Sequence, residues 1–333
     1  MRACLRDVPV AMPSPGGDLN PEPRTLPPLH HVLFILVCFI WGSSFILMKV
    51  GLEVFGPVGI GAWRVSTGAA ALAVLWGLQQ RPWPLRWADV PALGFITILG
   101  YAVPFVLQPY IIAVIEAHSG HGSSFSGMMV SLVPLMTIVV SVPILGIYPT
   151  GRQLLGVIGG LAAMLYLFGG ELAGGVLPRD LLLASITPVC YAVANTYLKR
   201  RFSRVSASAL VLCTLSLSSL ILVPAAAIVE PAGTFSHPAL GRAVLSLVVL
   251  GIVCTGVATF LFYTLVQERG PLFAAMVTYI IPCVSLLQGW LWGETITGRQ
   301  LISLGGIFVM VTLVQWRSRR APAEVAVGEQ PGA

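Results

Sequence analysis

Charge is scarce in this chain. Asp, Glu, Lys and Arg together make up 10% of its residues, against about 25% in a soluble globular domain. That scarcity, with a mean hydropathy of +0.87, excludes an ordinary cytosolic enzyme, a disordered chain and a nucleic-acid binder. Catalytic signatures are missing too: the sequence has no H-E-x-x-H, no G-x-S-x-G and no P-loop. Nothing in it calls for a cofactor or a metal. The six cysteines (Cys4, Cys38, Cys190, Cys213, Cys254 and Cys283) show no paired spacing. They read as small core residues rather than disulfides or zinc ligands. No acidic pair falls inside an apolar run. Asp89, Glu171, Asp180, Glu230, Glu268 and Glu294 all fall at run ends or in loops. This disfavours proton coupling through a buried carboxylate, for which Glu53 and Glu268 are the nearest candidates, both peripheral.

What the chain does have is apolar length. Ten apolar runs lie near 32–51, 57–78, 90–109, 123–145, 152–170, 180–199, 207–229, 240–264, 272–292 and 299–316. Each is long enough to cross about 30 Å of hydrocarbon as a helix. The short alternating segments of a membrane barrel are absent. Helix-stopping residues punctuate the runs: Gly56-Pro57, Arg81-Pro82-Trp83-Pro84, Tyr148-Pro149-Thr150-Gly151, Leu177-Pro178 and Gly270-Pro271. Residues 1–31 are polar and proline-rich with no apolar core, so they predict a flexible tail rather than a signal peptide. Met12 offers an alternative start. Residues 317–333 form a second tail. Most Lys and Arg residues fall in the tails and in alternate connections, which predicts a cell-membrane protein with both termini cytoplasmic.

The chain repeats itself. Residues 150–160 read TGRQLLGVIGG and residues 297–306 read TGRQLISLGG. Upstream, Ser131-Leu132-Val133-Pro134 corresponds to Tyr279-Ile280-Ile281-Pro282. Trp41 and Lys49 in the first run correspond to Tyr191 and Lys199 in the sixth. Two units follow, 32–170 and 180–316. Five spans in each force opposite insertion, and inverted repeats are common in secondary transporters.

The segments IWGSSFILMKVGLE (40–53), AWRVSTGAAAL (62–72), SLVPLMTIVVSVPILG (131–146) and TYIIPCVSLLQGWLWGETITGRQL (278–301) resemble the drug/metabolite transporter superfamily, EamA type. The resemblance covers nearly the whole chain. It implies an all-α polytopic membrane protein of ten transmembrane helices in two inverted five-helix repeats, with a central cavity and no prosthetic group. One departure is visible. Gly146-Ile147-Tyr148-Pro149 stands where the family usually has Gly-Glu, whereas the second copy keeps Gly293-Glu294. That first turn is expected at the membrane surface, with little bearing on function.

Several polar residues interrupt the apolar runs. Arg64 lies roughly 10 Å inside the second span at about 1.5 Å per residue. Two roles fit it: a bidentate anchor for a substrate carboxylate or phosphate, or a structural arginine bonded to backbone carbonyls. Lys49, near the end of the first span, either snorkels or joins the site. Trp41, Ser44, Phe45 and Met48 share one helix face. Tyr191 and Asn195 share another, where Asn195 serves either as packing glue or as a substrate contact. Tyr101, Gln108, Tyr263, Tyr279 and Gln288 add further polar groups. Pro134 and Pro282 kink the fourth and ninth helices, or hinge them. Gly156/Gly160 and Gly289/Gly293 are spaced for close helix packing, with homodimerisation left open. Glu116, His118 and His121 cluster in a loop, too few for a metal, with Ser119 or Ser123 capping the next helix.

These readings converge on a transporter of a small organic metabolite, anionic or zwitterionic, working by alternating access, with export suggested by the resemblance. The expected partners are the solute and membrane lipid, with no nucleic acid. A multidrug or cation efflux transporter of the same fold is the alternative. A membrane-embedded lipid enzyme and a non-transporting partner-binding protein are less favoured.

Overall fold

The computed structural model describes residues 28–79, 84–146, 148–202, 205–230, 236–262, 265 and 277–315. Most of both tails, Met12, Tyr263, Glu268 and the breaks at 81–83 and 270–271 lie outside the described residues. Within them the chain is helical, with no strand. The first helix is Pro28–Gly51 and the second Pro57–Gln79. The third spans Trp87–Ser119 and the fourth Gly122–Leu145. The fifth, sixth and seventh are Gly151–Ala173, Pro178–Arg201 and Ala207–Val229. The eighth runs Leu240–Phe262. The ninth and tenth are Val277–Leu291 and Gly298–Gln315. Eight of these helices are long and apolar enough to cross a membrane, and the last two are shorter apolar helices.

The chain runs up and down, so its connections gather on two faces. On one, which we call the Lys49 face, the Glu230 carboxylate accepts from the backbone N–H groups of Gly56 and Gly59, and Arg242 pairs with Glu53. On the other, the Arg201 face, Arg200 donates to the carbonyl of Ile144 at 2.6 Å, and Arg201 lies 3.7 Å from Asp89.

Helix pairing follows an exchange rule. The second helix packs on the seventh and the fifth on the tenth. The first packs on the ninth and the fourth on the sixth, while the second packs on the eighth and the third on the seventh. Swapping the two five-helix halves maps each of these contacts onto itself or onto its partner. Buried apolar clusters tie the helices together across the halves, including Val37, Met48, Leu247 and Ile281 in one, and Ile115, Phe125, Leu286 and Val311 in another. Large apolar side chains such as Leu78, Leu155, Leu182, Leu220 and Ile228 stay exposed around the outside. An apolar belt of that extent suits lipid, not water.

Four sequence expectations change. The third helix does not end near residue 109. Pro109 is taken up inside it, and the helix runs to Ser119 because Ile111, Ile112 and Ile115 still face the core. Glu116 and His118 are therefore helical, not in a loop. The fourth helix does break before Pro134, where Val130–Leu132 forms a short 3-10 turn, but the ninth runs unbroken through Pro282. Gly293 is no packing residue. Its φ of 89° lies in the left-handed region and closes a turn.

Candidate functional site

A cavity of about 180 Å³ lies among the first, second, third, fourth, sixth, eighth and ninth helices. Backbone irregularity shapes two of its walls. The third helix contains a π-helical turn at Ile98–Ala102 and the eighth another at Leu250–Val257. Gly100 and Tyr101 come from the first turn, and Cys254 and Thr255 from the second. An extra residue per turn re-aims side chains, and such turns gather at functional sites. Glycine brings the second and eighth helices together here. A Cβ on Gly68 would stand 3.0 Å from the Gly251 carbonyl oxygen, and one on Gly251 would stand 2.9 Å from that of Arg64. This approach sets Thr255 opposite Arg64.

Arg64 is 6% exposed and lines the cavity. Its Nε donates to Thr255 Oγ1 at 2.9 Å. Its Nη1 donates to Gln108 Oε1 at 3.3 Å and lies 3.8 Å from Met48 Sδ. The guanidinium carbon stands 3.8 Å over the Phe105 ring. No carboxylate pairs with Arg64 among the described residues, and none lines the cavity. The Nη2 group makes no hydrogen bond within the described residues, and neither does the Gln108 amide nitrogen. A buried cation with spare donors and no counter-charge is electrostatically incomplete.

Of the residues singled out in the sequence, Trp41, Ser44, Arg64, Tyr101, Gln108, Tyr191 and Asn195 line this cavity. Trp41 donates its indole N–H to the carbonyl of Cys254 at 2.9 Å and packs on Phe262, ring centroids 4.9 Å apart. Ser44 donates to the carbonyl of Trp41. Tyr191 reaches Gln108 Oε1 at 3.5 Å. Asn195 is exposed and makes no hydrogen bond with the described residues. Tyr279 packs instead against the cluster around Ile111 and Leu286. Neither proline lines the cavity. Phe105, Cys254, Thr255, Thr259 and Phe262 also line it but did not stand out in the sequence. A threonine within an apolar run was the available signal.

Lys49 is elsewhere. It neither snorkels nor lines the cavity. Its Nζ lies 2.8 Å from Glu116 Oε1 and 2.9 Å from Glu294 Oε1. Glu294 also accepts from the backbone and hydroxyl groups of Ser123 at 3.1 and 2.6 Å, and from those of Ser124 at 3.0 and 2.5 Å. It thus occupies the N-terminus of the fourth helix, where a carboxylate is favoured. Burial by itself would raise its pKa, but the hydrogen bonds from Ser123, Ser124 and Lys49 outweigh that and hold it below the ordinary carboxylate value. Glu294, read in the sequence as a span-end residue, is therefore a buried structural carboxylate. Neither Ser119 nor Ser123 caps the helix by its own side chain. Ser119 donates instead to Glu171, which also contacts His121.

The model of the EamA-like transporter family matches residues 29–169 and 179–316. The chain belongs to the EamA-like transporter family. This EamA-like chain is a multi-pass membrane transporter, not an enzyme. It is 26% identical over 307 residues to YedA of Escherichia coli (strain K12), named an uncharacterized inner membrane transporter, across 91% of this chain and 96% of that one. It is 22% identical over 298 residues to a probable amino-acid metabolite efflux pump of the same organism, covering 86% and 96%. It is 23% identical over 263 residues to a probable terminal-alkyne amino-acid exporter of Streptantibioticus cattleyicolor, covering 78% and 83%. A solved crystal structure matches the fold with a TM-score of 0.60 at 18% identity, covering 88% of this chain and 99% of the other.

Proposed function

We propose that this EamA-like transporter is an inner-membrane exporter of a small amino-acid-like metabolite, carried by alternating access between two inverted halves, 32–170 and 180–316. The observation that carries the reading is Arg64: a buried guanidinium in the cavity with no carboxylate beside it among the described residues. A substrate carboxylate completes it. Nη2 of Arg64 and the amide nitrogen of Gln108 supply the donors, and charge-assisted bonds of this kind are the strong ones. Thr255 and Phe105 hold the guanidinium plane so that little orientation is lost on binding. Trp41, Tyr101, Tyr191 and Phe262 offer aromatic surface for the rest of the molecule. Two relatives carry names that specify amino-acid export, which supports a zwitterion over a simple anion. The cavity, at about 180 Å³, is smaller than the ~300–1,000 Å³ typical of drug-sized sites, and Arg64 repels a cationic drug. Both favour a metabolite over multidrug efflux. The distribution of Lys and Arg supports cytoplasmic termini, which puts the Lys49 face outside.

The test is counterflow of radiolabelled amino acids in proteoliposomes. Wild-type protein should exchange at least one of them, and Arg64→Ala should abolish exchange while inserting normally. An Arg64→Ala protein that exchanges amino acids like wild type sinks the anchor role.

A further inference from the structure

The cavity is closed toward the Lys49 face. Its lining residues reach Asn195, Leu198, Thr259, Phe262 and Thr278 toward the Arg201 face. Toward the Lys49 face it stops at Phe45, Arg64 and Gln108. Beyond them lie fully buried apolar side chains, including Met48, Ile112, Ile115 and Phe125. Above those sits the cluster of Lys49, Glu116, Glu294, Ser123 and Ser124. The cluster joins the first, third and fourth helices of one half to a turn of the other half. Anything that opens the Lys49 face must separate them.

The two halves fix what should stand at the equivalent place on the Arg201 face. Thr150 and Gln153 cap the fifth helix, with Thr150 N–H donating to Gln153 Oε1 at 2.8 Å. Thr297 and Gln300 cap the tenth in the same way, also at 2.8 Å. Gly146 and Gly293 precede them, both in the left-handed region, at φ of 70° and 89°. In that register Glu294 corresponds to Ile147; aligning Trp41 with Tyr191 pairs Lys49 with Lys199, and aligning Pro134 with Pro282 pairs Ser123-Ser124 with Pro271-Leu272. The repeat keeps the lysine as Lys199, which is exposed, and its sequence has no acid or hydroxyl at these three corresponding positions.

We propose that the Lys49–Glu116–Glu294 cluster, with Ser123 and Ser124, is a one-sided lock that holds the Lys49 face shut, so that the transporter rests open to the Arg201 face and loads its substrate there. The lock is a barrier between conformations and takes no part in substrate binding. It rests on the alternating-access reading, but its test contains no substrate, so a wrong substrate class leaves it untouched.

Val130→Cys, at a half-buried position on the cavity wall, reports access, since the native Cys254 there is buried. The full-length protein is exposed to a membrane-impermeant thiol reagent in intact cells and in inverted vesicles, and labelling at position 130 is followed by peptide mass spectrometry. Arg242→Cys, exposed at the Lys49 face, identifies which preparation presents that face. With the lock intact, position 130 should label at least about tenfold faster from the Arg201 side, as a shifted two-state population requires. Glu294→Gln and Lys49→Met should each raise labelling from the Lys49 side. Equal labelling from both sides with the lock intact overturns the proposal. So does a position 130 that stays closed to the Lys49 side in both lock variants while labelling from the Arg201 side is unchanged, a pattern that shows them folded.

Discussion

Lys49 and Arg64 are both basic side chains within the apolar helices, and their surroundings are opposite. Lys49 touches two carboxylates, one of them fully buried and further bonded to two serines. Arg64 touches a threonine, an amide, a thioether and an aromatic ring, and no acid among the described residues. A cation paired inside the fold holds helices together. A cation held in place but left unpaired is poised for something that arrives from outside. On the proposed reading of Arg64, the contrast is between a structural charge and a binding charge.

The largest effects are expected at the cavity. Gln108→Glu changes one atom and puts a carboxylate where Gln108 Oε1 already meets Arg64 Nη1. Arg64 then resembles Lys49, and exchange of an anionic or zwitterionic substrate should fall below detection in proteoliposomes. Arg64→Met removes the charge instead. Loss of one or two charge-assisted bonds of about 1.5–3 kcal/mol each should weaken substrate binding roughly 100-fold. Stability should change little, within about 1 kcal/mol, because no charge is left stranded. Lys49→Met should behave the other way. It leaves two carboxylates facing each other, and removing one partner of a buried pair costs about 3 kcal/mol, read as a lower melting temperature in detergent.

Smaller effects sharpen the same contrast. The native pKa of Glu294 is depressed below its ordinary value of 4.5. A depressed carboxylate contributes stability above its unfolded pKa and loses it as pH falls through the native one. The melting temperature should therefore carry an acid-side decline below about pH 4.5 that Glu294→Gln diminishes. Thr255→Val removes the Nε acceptor of Arg64. About 1 kcal/mol of positioning should appear as roughly fivefold weaker substrate binding.

Much of this architecture is legible in the sequence. Apolar runs of membrane length give the helices, whereas their pairing comes from the structure alone. Polar residues inside apolar runs, Arg64, Gln108 and Tyr191 among them, mark the cavity wall. What stays hidden has a physical reason. Pro109 looks like a helix end, but a membrane helix can absorb a proline when its freed groups find other partners, and so Glu116 reads as a loop residue. Glu294 reads only as a span-end residue because its partners are distant in sequence. The π-helical turns leave no residue signature, so Thr255 passes as one more small residue in an apolar run.

The central claim is that Arg64 binds a substrate carboxylate. It is tested most directly by thermal shift of the purified protein against amino acids, organic acids, nucleosides and cationic drugs, with Arg64→Met in parallel. A ligand that binds only the folded state raises the melting temperature by mass action. The account predicts stabilisation by one or more amino-acid-like solutes in wild type and none of it in Arg64→Met. Stabilisation by cations alone, equal in both proteins, would contradict it.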